Sequence, residues 1–120
     1  MTKKFDLDER LIEFASTIID ISEALPKTFA GNHIAGQLVR SGTSPALHYG
    51  EAQSAESRND FIHKMKIILK ELRESLISLK LIERKKMYDP NIVMKAKDEC
   101  NQLIAIFVKS IETAKRNNLK

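Results

Sequence analysis

Apolar side chains return along this chain in alternating steps of three and four, the spacing of helices that each bury one stripe. Leu7, Leu11, Phe14, Ile18, Ile21 and Leu25 form the first such seam and predict a helix over residues 7–25. Asp6, with Glu9 three residues later, makes a capping box at its start, and Pro26 stops it. A second helix is expected over residues 33–55, after a short connection at 27–32. Phe61, Met65, Ile68, Leu72, Leu76 and Leu79 predict a third, opening near Ser57 and closing in Glu83-Arg84-Lys85-Lys86, where cations suit the negative helix end. Asp89-Pro90 pairs a cap with a first-turn proline. The fourth seam follows as Val93, Ala96, Cys100, Leu103, Phe107, Ile111 and Ala114, and residues 117–120 are expected to fray. Four long helices with short loops predict an all-α, up-down-up-down antiparallel four-helix bundle, one domain filling the 120 residues.

The second helix departs from this pattern. Across Gln37-Leu38-Val39-Arg40-Ser41-Gly42-Thr43-Ser44-Pro45 and on to Ala46-Leu47-His48-Tyr49-Gly50-Glu51-Ala52, polar residues and helix breakers interrupt the apolar stripe. A local breach of the packing rule marks a structural or functional specialisation. Gln37, Ser41, Ser44, His48 and Glu51 share one helical face, with Arg40 beside it. Arg40 and Glu51 stand about 16 Å apart along the axis, too far to pair. A buried Arg40 would need a carboxylate from another helix or another subunit, with Glu71 and Glu74 the natural candidates, unless it lies on the rim of the bundle. Pro45 either kinks the helix or starts a new one capped by Ser44. A kinked continuous helix is expected, because Leu38, Tyr49 and Ala52 keep phase across the break.

Composition narrows the class. Apolar residues make up 42% and charged residues 30%, the profile of a folded soluble helical chain. No apolar run approaches the ~18 residues of a membrane span. The start, Met1-Thr2-Lys3-Lys4-Phe5-Asp6, has no signal-peptide core. A lone cysteine, Cys100, excludes an internal disulfide, fits a reducing cytoplasm, and lies on a core seam as a buried inert thiol. The expected location is cytoplasmic, with no membrane association.

The net charge of +4 is unevenly spread. Residues 58–86 hold nine basic and four acidic side chains, whereas residues 1–57 hold five and eight. Lys66, Lys70, Arg73, Lys80 and Arg84 fall on one stripe of the third helix, interrupted by Ile77, with Lys85 and Lys86 beyond. Such a line can follow a phosphate backbone. The alternative is a solvated face, neutralised in part by Glu74 and Glu83. Tyr88 is the nearest aromatic, so base stacking is not indicated and any binding should be mostly electrostatic.

Catalytic arrangements are poorly supported. His33, His48 and His63 lie fifteen residues apart and are not expected to converge. A di-iron bundle needs two Glu-x-x-His motifs and two more carboxylates. Here Asp60-x-x-His63 is the one pair in that order, and His48-x-x-Glu51 runs the other way. Neither a phosphate loop nor a Gly-x-Ser-x-Gly elbow is present. No catalytic residue, metal or cofactor is expected.

Two blocks carry a resemblance. Gln37-Leu38-Val39-Arg40-Ser41-x-Thr43-Ser44 with Tyr49-x-Glu51-Ala52 is the first. Ala55-x-Ser57-x-x-Asp60-Phe61-Ile62-x-Lys64 with Lys70-Glu71-x-x-Glu74-Ser75-Leu76 is the second. Together they resemble the small four-helix-bundle proteins called 23S rRNA-intervening sequence proteins, some of them encoded in insertions within large-subunit rRNA genes. A related branch serves diversity-generating retroelements as the accessory variability protein. The resemblance implies a homopentameric ring and, in that branch, binding of nucleic acid and a reverse transcriptase. It also implies that Arg40, Ser44, Tyr49, Glu51, Phe61, Lys64, Glu71 and Glu74, with His48 among them, fix the bundle and its subunit contacts. The chain departs from that pattern at Pro45, where isoleucine or valine is usual, and at His48, where asparagine is. Ile77 and Ser78 occupy a site that is often aromatic.

The expectation is a non-enzymatic, oligomeric helical bundle that binds RNA or DNA. The alternative is a protein–protein adaptor or assembly scaffold that docks through the polar residues of the second helix.

Overall fold

A computed structural model describes residues 6–118. It is an antiparallel four-helix bundle of α1 (Leu7–Ala24), α2 (Phe29–Gln53), α3 (Arg58–Arg84) and α4 (Pro90–Asn118). Among the described residues no helix is long and apolar enough to cross a membrane. The reading of residues 1–5 falls outside the described residues, as does that of residues 119–120. Helix α4 continues through Asn118.

Side-chain caps set the helix starts. Asp6 accepts from the Glu9 N–H at 3.1 Å, and Ser57 from the Asp60 N–H at 3.0 Å. Asp89 accepts from the Asn91 N–H at 2.8 Å. Helix α2 begins four residues before its expected start, because Thr28 caps it by accepting from the Gly31 N–H at 3.0 Å. It then runs through Pro45 without a break.

Every residue of the α1 and α4 seams is buried. The α3 seam is shifted from its expected line. Ile62, Met65, Ile68, Leu72, Ser75, Leu79 and Ile82 are fully buried, while Phe61 and Leu76 flank them half-buried. The shift arises because α3 packs on α2 and α4 together, so its hidden face is broader than one a/d line. Consecutive helices pack along their lengths, whereas α4 meets α1 more sparsely. Across that last seam Arg10 donates to both Glu99 oxygens, at 3.0 and 2.7 Å, and to Gln102 at 3.2 Å.

Cys100 is buried, and its thiol donates to the Leu72 carbonyl at 3.2 Å. Burial, with a smaller contribution from Glu99, pushes the thiol up to about 12, so it stays protonated and unreactive near neutrality.

Candidate nucleic-acid interface and the α2 polar seam

The polar residues of α2 divide by direction. Ser41 points inward and its hydroxyl lies 2.9 Å from that of Ser75 on α3, both buried. Ser75 also lies 3.0 Å from the Glu71 carbonyl, and Ser41 a longer 3.4 Å from that of Leu38. The shorter distances assign the Ser75 proton to Glu71 and the Ser41 proton to Ser75, a chain that satisfies both hydroxyls inside the core. Replacing Ser41 by alanine removes the hydrogen bond between the two helices, although Ser75 keeps its bond to the Glu71 carbonyl. Ser41→Ala alone is therefore expected to cost about 1 kcal/mol, and Ser41→Ala with Ser75→Ala less than the sum of the two single changes. Urea denaturation of the four proteins in a double-mutant cycle measures this.

Two turns further along α2, His48 Nδ1 meets Glu71 Oε1 at 3.0 Å. Glu71 is only 12% exposed, so His48 supplies the partner that its carboxylate needs. Arg40 does not reach Glu71 or Glu74. It is exposed and donates to Gln37 on its own helix at 2.7 Å, so it lies on the rim. Glu71 was taken instead by the α2 side chain that faces α3 at its level.

The hydroxyls around the proline fold back on their own helix. Thr43 donates to the Val39 carbonyl and Ser44 to the Arg40 carbonyl, both at 2.7 Å. Tyr49 packs edge-on against Phe107 of α4, with ring centroids 5.8 Å apart. Lys64 Nζ bridges both Asp60 oxygens, at 2.9 and 3.0 Å, and its hydrogen bond holds the Asp60 carboxyl below the usual range. Glu51 is exposed and shares a depression of about 240 Å³ with His48, His63, Lys64 and Ile67. His48 and His63 thus line one depression, which His33 does not join, and among the described residues no group of three His, Cys, Asp or Glu side chains is placed to hold a metal ion. The α2–α3 hairpin folds the chain back and brings distant positions to one level, a relation that spacing along a single helix does not reveal.

The basic line lies on the opposite side of α3. Lys66, Lys70, Arg73, Ile77, Lys80 and Arg84 are all exposed, as are Lys85 and Lys86. From Lys66 to Arg84 the line is about 27 Å long. None of these cations has a carboxylate partner among the described residues. Glu83, expected to offset them, is held by Lys97 of α4 at 2.6 Å. Glu74 is half-buried and makes no ion pair among the described residues. The middle of the line forms a shallow depression of about 530 Å³, lined by Lys66, Leu69, Lys70, Arg73, Glu74 and Ile77. Positive potential is therefore concentrated along one edge, offset within it by Glu74.

Comparison with known proteins places this geometry in context. The sequence model described as 23S rRNA-intervening sequence protein matches residues 3–109. A protein of unknown function from the S23 ribosomal protein family of Bacteroides thetaiotaomicron VPI-5482, in a crystal structure at 1.70 Å, is similar to this chain with a TM-score of 0.81 and 27% identity. That match covers 88% of this chain and 98% of the other. No curated protein gives a significant match.

Proposed function

The chain belongs to the 23S rRNA-intervening sequence protein family, and from that premise we propose that it is a non-enzymatic, homo-oligomeric bundle that binds RNA or DNA along α3. One observation carries the reading: a line of exposed cations about 27 Å long, with no carboxylate partner among the described residues. Glu74 stands four residues from Lys70 and lines the same depression, yet it makes no ion pair among the described residues, so the cations stay free to meet phosphates. Binding of this kind releases counterions, so it is steeply salt-dependent and weakly sequence-specific. A fluorescence-anisotropy titration with unrelated RNA and DNA is expected to give a log–log salt slope between about −3 and −5. No detectable binding at low salt would sink the proposal.

The adaptor alternative keeps Gln37, Arg40 and Glu51 as exposed side chains of its polar face, but several others are engaged within the bundle. Ser41 and His48 are bound to α3, and Ser44 is bound to its own helix. Exposed aliphatics are also available: Ile12 and Ile19 on α1 are 51% and 39% exposed, and Leu47, within the same α2 run, is 72% exposed. Family membership together with these aliphatics supports a second copy of this chain as their cover, in the pentameric ring that the family resemblance implies. Light scattering at micromolar concentration is expected to report five chains, and a monomer would contradict the assembly.

A further inference from the structure

A second depression, of about 310 Å³, lies at the α3–α4 turn and is lined by Glu83, Lys86, Tyr88 and Pro90. Its shape follows from how α3 ends. The Met87 N–H donates to the Ile82 carbonyl at 3.0 Å and the Lys86 N–H to the Glu83 carbonyl at 3.2 Å, the crossed pair of a Schellman turn. The turning residue is Lys86, with φ of 55°, the one non-glycine residue in the left-handed region among those described. Glycine is the unstrained choice there. A lysine therefore occupies the position against its own backbone preference, and it brings a cation to the edge of the depression.

The other walls are held in place. Tyr88 is half-buried, packed partly against the core. Pro90 is fixed as the first residue of α4, next to the capping Asp89. Lys97 holds the Glu83 carboxylate at 2.6 Å, so a hydrogen-bond acceptor faces the depression in a set position. The α3 cation line arrives at this point through Arg84 and Lys85. An aromatic ring, a proline, a cation and an oriented acceptor offer more than phosphates require. They match a base whose face and edge are both accessible, which a duplex does not present.

We infer that this depression takes one unpaired base of a single-stranded nucleic acid whose phosphates lie along α3. The base stacks on Tyr88 against Pro90, Lys86 contacts the adjoining phosphate, and Glu83 accepts from an N–H on the base edge. The inference rests on the reading of α3 as a polyanion-binding edge.

The test uses the full chain, which contains no tryptophan, so Tyr88→Trp installs a single reporter at the site. A single-stranded RNA of about ten nucleotides is expected to quench its fluorescence, while the same sequence annealed into a duplex binds by anisotropy without quenching. Tyr88→Ala is expected to lose about tenfold in single-strand affinity and to leave duplex affinity unchanged. Lys86→Gly is expected to raise Tm by about 4 °C, by relieving the left-handed lysine, yet to weaken single-strand binding about fivefold. A purely structural residue would gain stability without that loss. If single-stranded RNA binds without quenching, or if Tyr88→Ala weakens both nucleic acids equally, the base site is overturned and the α3 reading stands. If a mononucleotide quenches as tightly as the oligomer, the depression is a free-nucleotide site and the inference is overturned. If neither nucleic acid binds, both readings fall.

Discussion

Reversing two charges at the middle of α3, as Lys70→Glu with Arg73→Glu, is expected to lower affinity for RNA on the order of 100-fold near 0.1 M salt. The salt slope should become shallower by about 2, one for each phosphate contact removed. Both side chains are exposed and have no carboxylate partner among the described residues, so folding loses nothing by their removal. Stability should stay within about 0.5 kcal/mol of the parent. Lys109→Glu with Lys115→Glu on α4 makes the same change in net charge on another helix, again at exposed positions. It should cost less than about fivefold in affinity, because long-range attraction is screened within about 10 Å while direct phosphate contact is not. Equal losses from the two pairs would mean that overall charge, and not the α3 line, governs binding. Anisotropy titrations over a salt series separate the outcomes.

The largest stability effects are expected at two glycines, for reasons of space. A β-carbon on Gly31 would collide with the Pro26 carbonyl oxygen, a backbone atom that no rotamer change can move. It would also press to 3.0 Å on the Thr28 hydroxyl that caps α2. Gly31→Ala must therefore open the α1–α2 turn or break the cap, a loss of about 2–4 kcal/mol. On Gly42 the added carbon would fall 2.5 Å from Ile18 Cγ2 and 2.8 Å from Cγ1. Ile18 is fully buried and β-branched, so it has little freedom to yield. Gly42→Ala should cost about 1–3 kcal/mol, even after a gain in helix propensity of up to about 1 kcal/mol. Gly36 and Gly50 have open space where a β-carbon would stand, so alanine there should stabilise by up to about 1 kcal/mol each. Thermal denaturation of the four variants tests this, since the same substitution must change sign along one helix.

Much of the fold was legible because helices that bury a single stripe advertise it. On α1 and α4 the apolar seam is regular and uninterrupted, and every residue on it is buried. The start of α2 was harder to read. Phe29 in its first turn is 94% exposed, so the helix begins before any apolar period does, and the signal lay in Thr28 and the Gly31 N–H. On α3 the buried Ser75 broke the pattern, since a serine counts as polar until its partner on α2 is known. Ionic partners were the least legible. Arg40 and His48 both lie on or beside the polar face of α2, and only the level of each against α3 decides that His48 meets Glu71. The α3 cation line could be read from steps of three and four alone, but its lack of ion-pair partners among the described residues could not. That depended on Lys97 reaching across from α4 to claim Glu83. The Tyr88 depression was hidden for a related reason, since it is made by a turn and not by a periodic face.

The most direct test of the α3 interface is to photo-crosslink the intact protein to 4-thiouridine RNA at low salt and map the adducts by mass spectrometry. Crosslinks should concentrate on residues 66–88, with Lys70, Arg73 and Lys80 at their centre. Crosslinks that concentrate on α1 or α2, or that spread evenly over all four helices, would contradict the account.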